Sequence, residues 1–220
     1  MKKNNKILTA IVTAGPTIER IDPVRYISNF SSGKQGFSIA NALYNAGIQV
    51  KVISGPVNNI MLPESINCQK IESAAEMLSA CEKSLPVDIA VCVAAVCDWR
   101  PKIISKEKLK KHQNEDELDI TLVKNPDILS IISHHKLRPK LVIGFAAETN
   151  NLIDNAKIKL QTKGCDWICA NDVSNGILGG DYNEITLVTD TKVQLLGKST
   201  KKDLAEKLVE QILYFFTNQD

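Results

Sequence analysis

The stretch from Ile7 to Gly36, ILTAIVTAGPTIERIDPVRYISNFSSGKQG, constrains this chain more than any other. It opens as an apolar run rich in Ile, Val and Thr, which predicts a strand. The run breaks at Gly15-Pro16 and crosses a polar loop of about nineteen residues that ends in Ser31-Ser32-Gly33-Lys34. From Lys34 to Ala46 the spacing of Phe37, Ala40, Leu43 and Ala46 predicts a helix that Gly47 closes. A helix N-terminus behind a buried strand has free N–H groups and a dipole that favours negative charge, so it suits an anionic ligand. Strand-to-helix connections usually run to about two to six residues. A loop this long, carrying Asp22, Arg25 and Asn29, reads as a substrate loop.

The rest of the chain alternates strand and helix. Strands are expected at Ile48–Ser54, Ser65–Ile71, Asp88–Val96, Leu118–Val123, Leu141–Ala147 and Asp166–Ala170. Asp88–Val96 is nearly uniformly apolar, as a parallel strand covered on both faces must be. Helices are expected from a capping box at Ser73–Glu76 to about Leu85, over Asp127–His134 with Pro126 in first position, and over Leu152–Lys163 with Gly164 as cap. Asn171–Asp181 reads as loop, Ile185–Val188 and Val193–Leu196 pair as a hairpin, and a helix capped by Thr200 runs to about Phe216. The fold class that follows is α/β: a Rossmann-like, mostly parallel sheet with helices on both faces, a C-terminal β-hairpin and a lysine-rich flap. Residues 1–220 read as one domain, with 1–6 a tail and about 100–117 a mobile flap.

Composition narrows the function. A net charge of +2 and 5% aromatic residues support neither a basic nucleic-acid surface nor a base-stacking platform. The longest later apolar run is far short of the roughly 20 residues that span a bilayer, and Ile7–Ala14 continues into a loop that the domain needs, so it reads as a strand and not a leader. No nucleic acid, no membrane and a cytoplasmic location are expected. The six cysteines (Cys68, Cys81, Cys92, Cys97, Cys165 and Cys169) contain no C-x-x-C pair and read as buried reduced thiols.

In open parallel sheets ligands collect beyond the C-terminal strand ends. Asp98 follows the apolar strand and leads through Trp99-Arg100-Pro101 into Lys102, Lys106, Lys108, Lys110 and Lys111. That segment is either a solvated loop or a flap that brings ammonium groups onto a polyphosphate. Asn125-Pro126-Asp127 and Asn171-Asp172 also follow strands, and Lys159 and Lys163 share one helix face. The glycines at 15, 33 and 36 form neither the G-x-G-x-x-G dinucleotide fingerprint nor a Walker loop. Ser31–Gly36 also fits an ordinary helix start with Ser32 as N-cap.

Together, AGPT at 14–17, IDPVRYISNFSSGKQG at 21–36, AAVCDWRP at 94–101, EKLKK at 107–111, VKNPDIL at 123–129, GFAAETNN at 144–151 and ICANDVS at 168–174 resemble the phosphopantothenoylcysteine synthetases (phosphopantothenate–cysteine ligases) of coenzyme A biosynthesis. The resemblance is to the bacterial CTP-using form, without the flavin-dependent decarboxylase to which this domain is fused in many bacteria. Departures are modest: Phe30 replaces a polar or basic residue, Gln35 a common Met, Cys97 a common Ala and Ile18 a frequent Arg.

The resemblance implies nucleotide contacts at Cys92, Val93, Ala94 and Asp98, at Lys108 in the flap, and at Pro126, Asp127, Ile128 and Leu129. Phe145, Lys159 and Lys163 complete that set. It implies substrate contacts at Arg25, Asn29 and Ala95, with Arg25 acting across the interface of a homodimer. The implied partners are phosphopantothenate, cysteine and CTP with Mg²⁺. Lys108 is the candidate for the first, acyl-cytidylate-forming step. Asn29 is the candidate donor to the acyl oxygen in the second. The alternative left by the fold alone is an NAD(P)-dependent oxidoreductase, against which stand the missing fingerprint and the lack of a Tyr-x-x-x-Lys pair.

Overall fold

The computed structural model describes residues 7–58, 62–110, 117–148, 150–172 and 180–218. Among these, an eight-stranded sheet forms the centre. Strand β1 (Thr9–Ala14) leads through a small hairpin, β2 (Ile18–Arg20) and β3 (Tyr26–Ser28), into α1 (Lys34–Asn45). Then follow β4 (Gln49–Ser54), β5 (Asn67–Lys70), α2 (Ala74–Glu82) and β6 (Ile89–Cys92). A second hairpin, β7 (Trp99–Pro101) and β8 (Leu122–Lys124), precedes α3 (Ile128–Ser133), β9 (Leu141–Glu148), α4 (Leu152–Lys163) and β10 (Trp167–Asp172). The antiparallel pair β11 (Tyr182–Thr189) and β12 (Val193–Thr200) and helix α5 (Lys201–Thr217) complete the chain.

The six strands β5-β4-β1-β6-β9-β10 are parallel, and β11 and β12 extend that edge antiparallel. The order reverses between β1 and β6, which is where a doubly wound sheet opens a crevice for ligand. Alternation along the buried strands divides the core. Ala10, Val12 and Ala14 pack with Phe37, Leu43 and Leu208 under α1 and α5. Ile11 faces the other way, onto Met77, Ile132 and Leu160 under α2, α3 and α4. Helix α1 lies so close to β1 that a Cβ on Gly36 would stand 2.7 Å from the Ala14 Cβ.

Several expected boundaries move. The apolar run after Asp88 stops being a strand at Cys92, because the Thr13 Oγ1 accepts from both Val93 N–H (3.1 Å) and Ala94 N–H (3.2 Å). Side-chain bonds there replace the next rungs of the ladder, and residues 93–98 cross the sheet's upper rim as irregular chain. The loop after β1 contains the β2–β3 hairpin. The strand expected at Leu118–Val123 shrinks to β8. Pro126 precedes α3 instead of opening it, since Asp127 is the N-cap and accepts from Ser130 N–H at 3.0 Å. The N-cap of α1 is Gly33 at φ 72°, not Ser32. Asn171 and Asp172 end β10 instead of opening a loop, and Cys68 is exposed on β5. Of the expected flap, Lys111 to Asp116 lie outside the described residues, as do residues 173–179 of the expected loop.

Candidate active site

Two adjoining cavities open above the point where the strand order reverses. The first, about 470 Å³, has Thr13 and Cys92 on its floor. Its walls are Ala94 and Asp98 from the irregular 93–98 segment, Pro126 to Leu129 at the start of α3, and Phe145 on β9. Lys159 and Lys163 of α4, with Lys124 at the end of β8, supply the positive charge. The second, about 400 Å³, holds Asn29, residues 31–36 at the start of α1, Val93 and Ala95, with Asn183 and Lys201 arriving from β11 and α5. Ala94, Val96, Asp98, Phe145 and Lys159 line both. Two ligands can therefore meet across Ala94 to Val96 with Lys159 beside both.

The segment between the cavities is held by bonds to the loop after β1. Gly15 O accepts from Ala95 N–H at 2.9 Å, and Ala95 O accepts from Thr17 N–H at 3.2 Å. Thr17 Oγ1 accepts from Cys97 N–H at 2.9 Å. On the other side Asn125 Nδ2 donates to Cys97 O at 2.8 Å, and Arg100 Nη1 donates to Asn125 Oδ1 at 3.1 Å. Asn29 Nδ2 lies on the Ala95 and Val96 carbonyls at 3.3 and 3.1 Å, which aims the amide at the boundary of the two cavities.

Charge is arranged to receive anions. Burial lowers the pKa of the Lys159 ammonium, the nearby Lys163 charge lowers it further, and Glu148 and Asp127 pull against both. Burial pushes the Asp127 carboxyl up, but the Lys163 ammonium paired with it, together with the Ser130 N–H, outweighs that and holds it below its ordinary value. In the second cavity the N-cap Gly33 has no side chain to cap α1. Gly33 N–H meets Ser31 Oγ at 3.3 Å and Lys34 N–H meets Ser32 Oγ at 3.5 Å, which leaves the N–H groups of Gln35 and Gly36 in the first turn for a ligand. Lys34 pairs with Asp181 at 2.6 Å there. Lys201 is half-buried, its pKa lowered by burial and then by Lys34. Burial drives the Cys92 thiol far above the ordinary cysteine range, so it is a wall and not a nucleophile.

Of the expected nucleotide contacts, Cys92, Ala94, Asp98, Pro126, Asp127, Ile128, Leu129, Phe145, Lys159 and Lys163 meet in the first cavity. Val93 faces the second, with Asn29 and Ala95. Lys108 is exposed and lines neither. Arg25 also lines neither: its guanidinium sits on Asp22 and on the Leu109 carbonyl. Thr13, Lys124, Asn183 and Lys201 were not among the expected site residues, and Lys34 and Asn125 were expected near the rim without an assigned contact. Thr13 and Asn125 carried a local signal, as polar residues at a strand end and before a proline. Asn183 and Lys201 carried none, because the antiparallel pair brings them back over the rim.

No cluster of three or more His, Cys, Asp or Glu side chains able to hold a metal occurs among the described residues. An ion such as Mg²⁺ takes one or two carboxylates plus a nucleotide's phosphates instead of a protein cage. Among the described residues that line this first cavity, Asp98, exposed on the rim, is the carboxylate not engaged by a lysine pair. Among the described residues no helix is long and apolar enough to cross a membrane.

Comparison with known proteins identifies the lineage. The chain is 44% identical over 214 residues to the coenzyme A biosynthesis bifunctional protein CoaBC of Haemophilus influenzae, covering 96% of this chain and 53% of that one. It thus spans about half the length of the curated relatives it matches. The crystal structure of the C-terminal domain of a CoaBC superposes with a TM-score of 0.81 at 35% identity, covering 96% of this chain and 97% of that domain. The DNA/pantothenate metabolism flavoprotein of Streptococcus pneumoniae shares the fold at a TM-score of 0.80 and 24% identity, over 94% of this chain and 99% of that one. Residues 5–215 match the family model described as the DNA/pantothenate metabolism flavoprotein C-terminal domain, and the chain belongs to that family.

Proposed function

We propose that this chain is a phosphopantothenate–cysteine ligase of coenzyme A biosynthesis that uses CTP and acts in the cytoplasm. The observation that carries the reading is the pair of cavities sharing Lys159 and the Ala94–Val96 segment, one rich in lysine and one ending on the open N-terminus of α1. Family membership and the CoaBC relatives support it. The nucleotide occupies the first cavity, with its phosphates toward Lys159 and Lys163. The phosphate end of phosphopantothenate lies at residues 31–34, and its carboxylate reaches Asn29.

In the first step a carboxylate oxygen of phosphopantothenate bonds to the α-phosphorus of CTP, and the bond to pyrophosphate breaks. The nucleophile is already ionised, so positioning and charge neutralisation do the work. Lys159 and Lys163 screen the phosphates, and Lys108 contributes from the segment between β7 and β8. Mg²⁺, when bound with the triphosphate and shared by Asp98, would withdraw charge from the leaving pyrophosphate. In the second step the cysteine amine bonds to the acyl carbon, CMP leaves and the amine sheds a proton. Negative charge collects on the acyl oxygen, and Asn29 Nδ2 exchanges one of its two backbone carbonyls for that oxygen.

A homodimer goes with this reading. Val24, Tyr26 and Phe30 around β3, with Ile103 and Ile104 after β7, expose large apolar side chains that a second copy would cover. The strand order alone would equally suit a nicotinamide dinucleotide, but family membership favours the ligase.

Turnover tests the proposal. CTP, Mg²⁺, phosphopantothenate and cysteine should yield CMP and pyrophosphate, with ATP a poor replacement. Absence of both products refutes the reading. Lys108→Gln should stop acyl-cytidylate formation, and a mutant that still forms it removes Lys108 from the first step.

A further inference from the structure

Asp22 is the most heavily bonded carboxylate in the β2–β3 hairpin and touches neither cavity. It is 1% exposed, in the turn joining β2 to β3. Its Oδ1 accepts from Val24 N–H and Arg25 N–H, both at 2.8 Å, which shapes the turn. Its Oδ2 points the other way. It accepts from Arg25 Nε at 2.9 Å, from Arg25 Nη2 at 2.5 Å and from the backbone N–H of Leu109 at 3.1 Å. The same Arg25 Nη2 donates to Leu109 O at 3.0 Å. Leu109 thus has both its backbone groups held by one ion pair that lies 84 or more residues away in sequence. A third bond, from Ser105 N–H to Ile21 O at 3.0 Å, fastens the same segment to the same turn.

A surface lysine segment does not require a buried carboxylate to hold it. The segment Lys102–Lys110 has few apolar anchors of its own, since Ile103 and Ile104 are exposed. Lys108 is the chain neighbour of Leu109, so fixing both backbone groups of Leu109 confines the Lys108 Cα. We propose that Asp22 is a positioning residue: through Arg25 and Leu109 it fixes the lysine segment, and with it Lys108, relative to the two cavities. Arg25 then acts first as the second half of this clamp. The hydrogen bonds from Arg25 hold the Asp22 carboxyl below the ordinary carboxylate range, so the clamp keeps its charge at neutral pH.

Asp22→Asn separates the two functions of the carboxylate. Turned with its oxygen toward Val24 and Arg25 N–H, the amide preserves the turn. Its NH₂ then meets the Leu109 N–H and the Arg25 guanidinium, which are donors too, so the clamp alone is lost. Leu109→Pro removes the same bond from the other side without touching the hairpin, and stands in should Asp22→Asn fail to fold.

Trypsin cleavage, with the cut sites read by mass spectrometry, should be about tenfold or more faster at Lys106, Lys108 and Lys110 in Asp22→Asn, and at Lys106 and Lys110 in Leu109→Pro, whose Lys108–Pro bond trypsin does not cut. Cleavage elsewhere and the thermal midpoint should change little. This arm does not depend on the reaction. The kinetic arm rests on the ligase reading: kcat for acyl-cytidylate formation should fall in Asp22→Asn, and adding Lys108→Gln should lower it no further than Lys108→Gln alone. A purely structural role would instead make the two substitutions multiply. Unchanged cleavage of the lysine segment in both variants, or multiplicative kinetics in the double mutant, overturns the proposal. Accelerated cleavage in a chain whose wild type forms no acyl-cytidylate keeps the clamp and refutes the ligase.

Discussion

Lys159 is the residue on which the two cavities depend most, and its replacement is the sharpest test of the site. It is half-buried on α4 and lines both cavities, with Lys163 one turn away. In a partly desolvated site a hydrogen bond from a charged donor is worth about 1.5–3 kcal/mol. At about 1.4 kcal/mol per decade, Lys159→Gln should weaken CTP binding roughly 10- to 100-fold, while Lys163 sustains the remainder. Titration calorimetry with CTP reads this directly. A second readout comes from proton linkage. Without ligand, burial and Lys163 hold the Lys159 pKa below 10.5. A bound polyphosphate favours the charged form and raises it again. CTP should therefore bind tightest below the unliganded pKa and progressively more weakly as pH rises through it, with a proton taken up on binding in that window. Lys159→Gln should flatten that alkaline slope. An affinity changed by less than about threefold, or a slope left intact, would refute the reasoning.

Four further outcomes are expected. Gly36→Ala should lower the stability of the fold by about 1–3 kcal/mol in a thermal melt, because the added methyl meets the Ala14 Cβ at 2.7 Å. Asn29→Ala should accumulate acyl-cytidylate and cut product formation by roughly 10²–10³, since a donor to the developing oxyanion is lost; single-turnover assays separate the two steps. Arg138→Met should cost about 1–3 kcal/mol in urea unfolding with CTP affinity unaltered, because Arg138 Nη2 bonds both Asp166 oxygens at 2.9 Å outside either cavity. The Asp22, Asp127 and Asp203 carboxyls are all held below their ordinary pKa. Their stabilisation is complete above the unfolded value of about 3.9 and is lost as pH falls through it toward the lowered folded values. Urea midpoints against pH should show this, with Lys163→Met shrinking the share of that loss that comes from Asp127, because its folded pKa rises toward or past the unfolded value.

Much of the fold could be read from residues in their local order. The strands at Ile89 and Leu141 announce themselves as apolar runs because a parallel strand is covered on both faces. Helix α4 runs from Leu152 to the capping Gly164 at φ 66° as its sequence predicts, and Thr200 caps α5 by accepting from Asp203 N–H at 3.1 Å. The candidate site was legible where its residues closely follow strands, as Asp127 follows β8; Asp98 lies on the rim although β6 stops six residues before it. Ser32 fits a cap because its hydroxyl is a good acceptor, but the N-cap position falls to Gly33 in the left-handed region.

What the sequence determined alone was therefore the main strands and helices, their alternation and the polar character of the sheet's upper rim, but not the short strands β2, β3 and β7. These follow from short-range physics: the periods of helix and strand, the geometry of caps, and burial on one face or two. Only the tertiary structure decided that Thr13 would end β6 four residues early, that Lys201 would face the start of α1, and that Asp22 would reach Leu109. Each of those joins groups tens of residues apart or more, and no local pattern encodes such a meeting. It comes about when chain crossings bring distant polar groups to one place, where burial obliges each to find a partner.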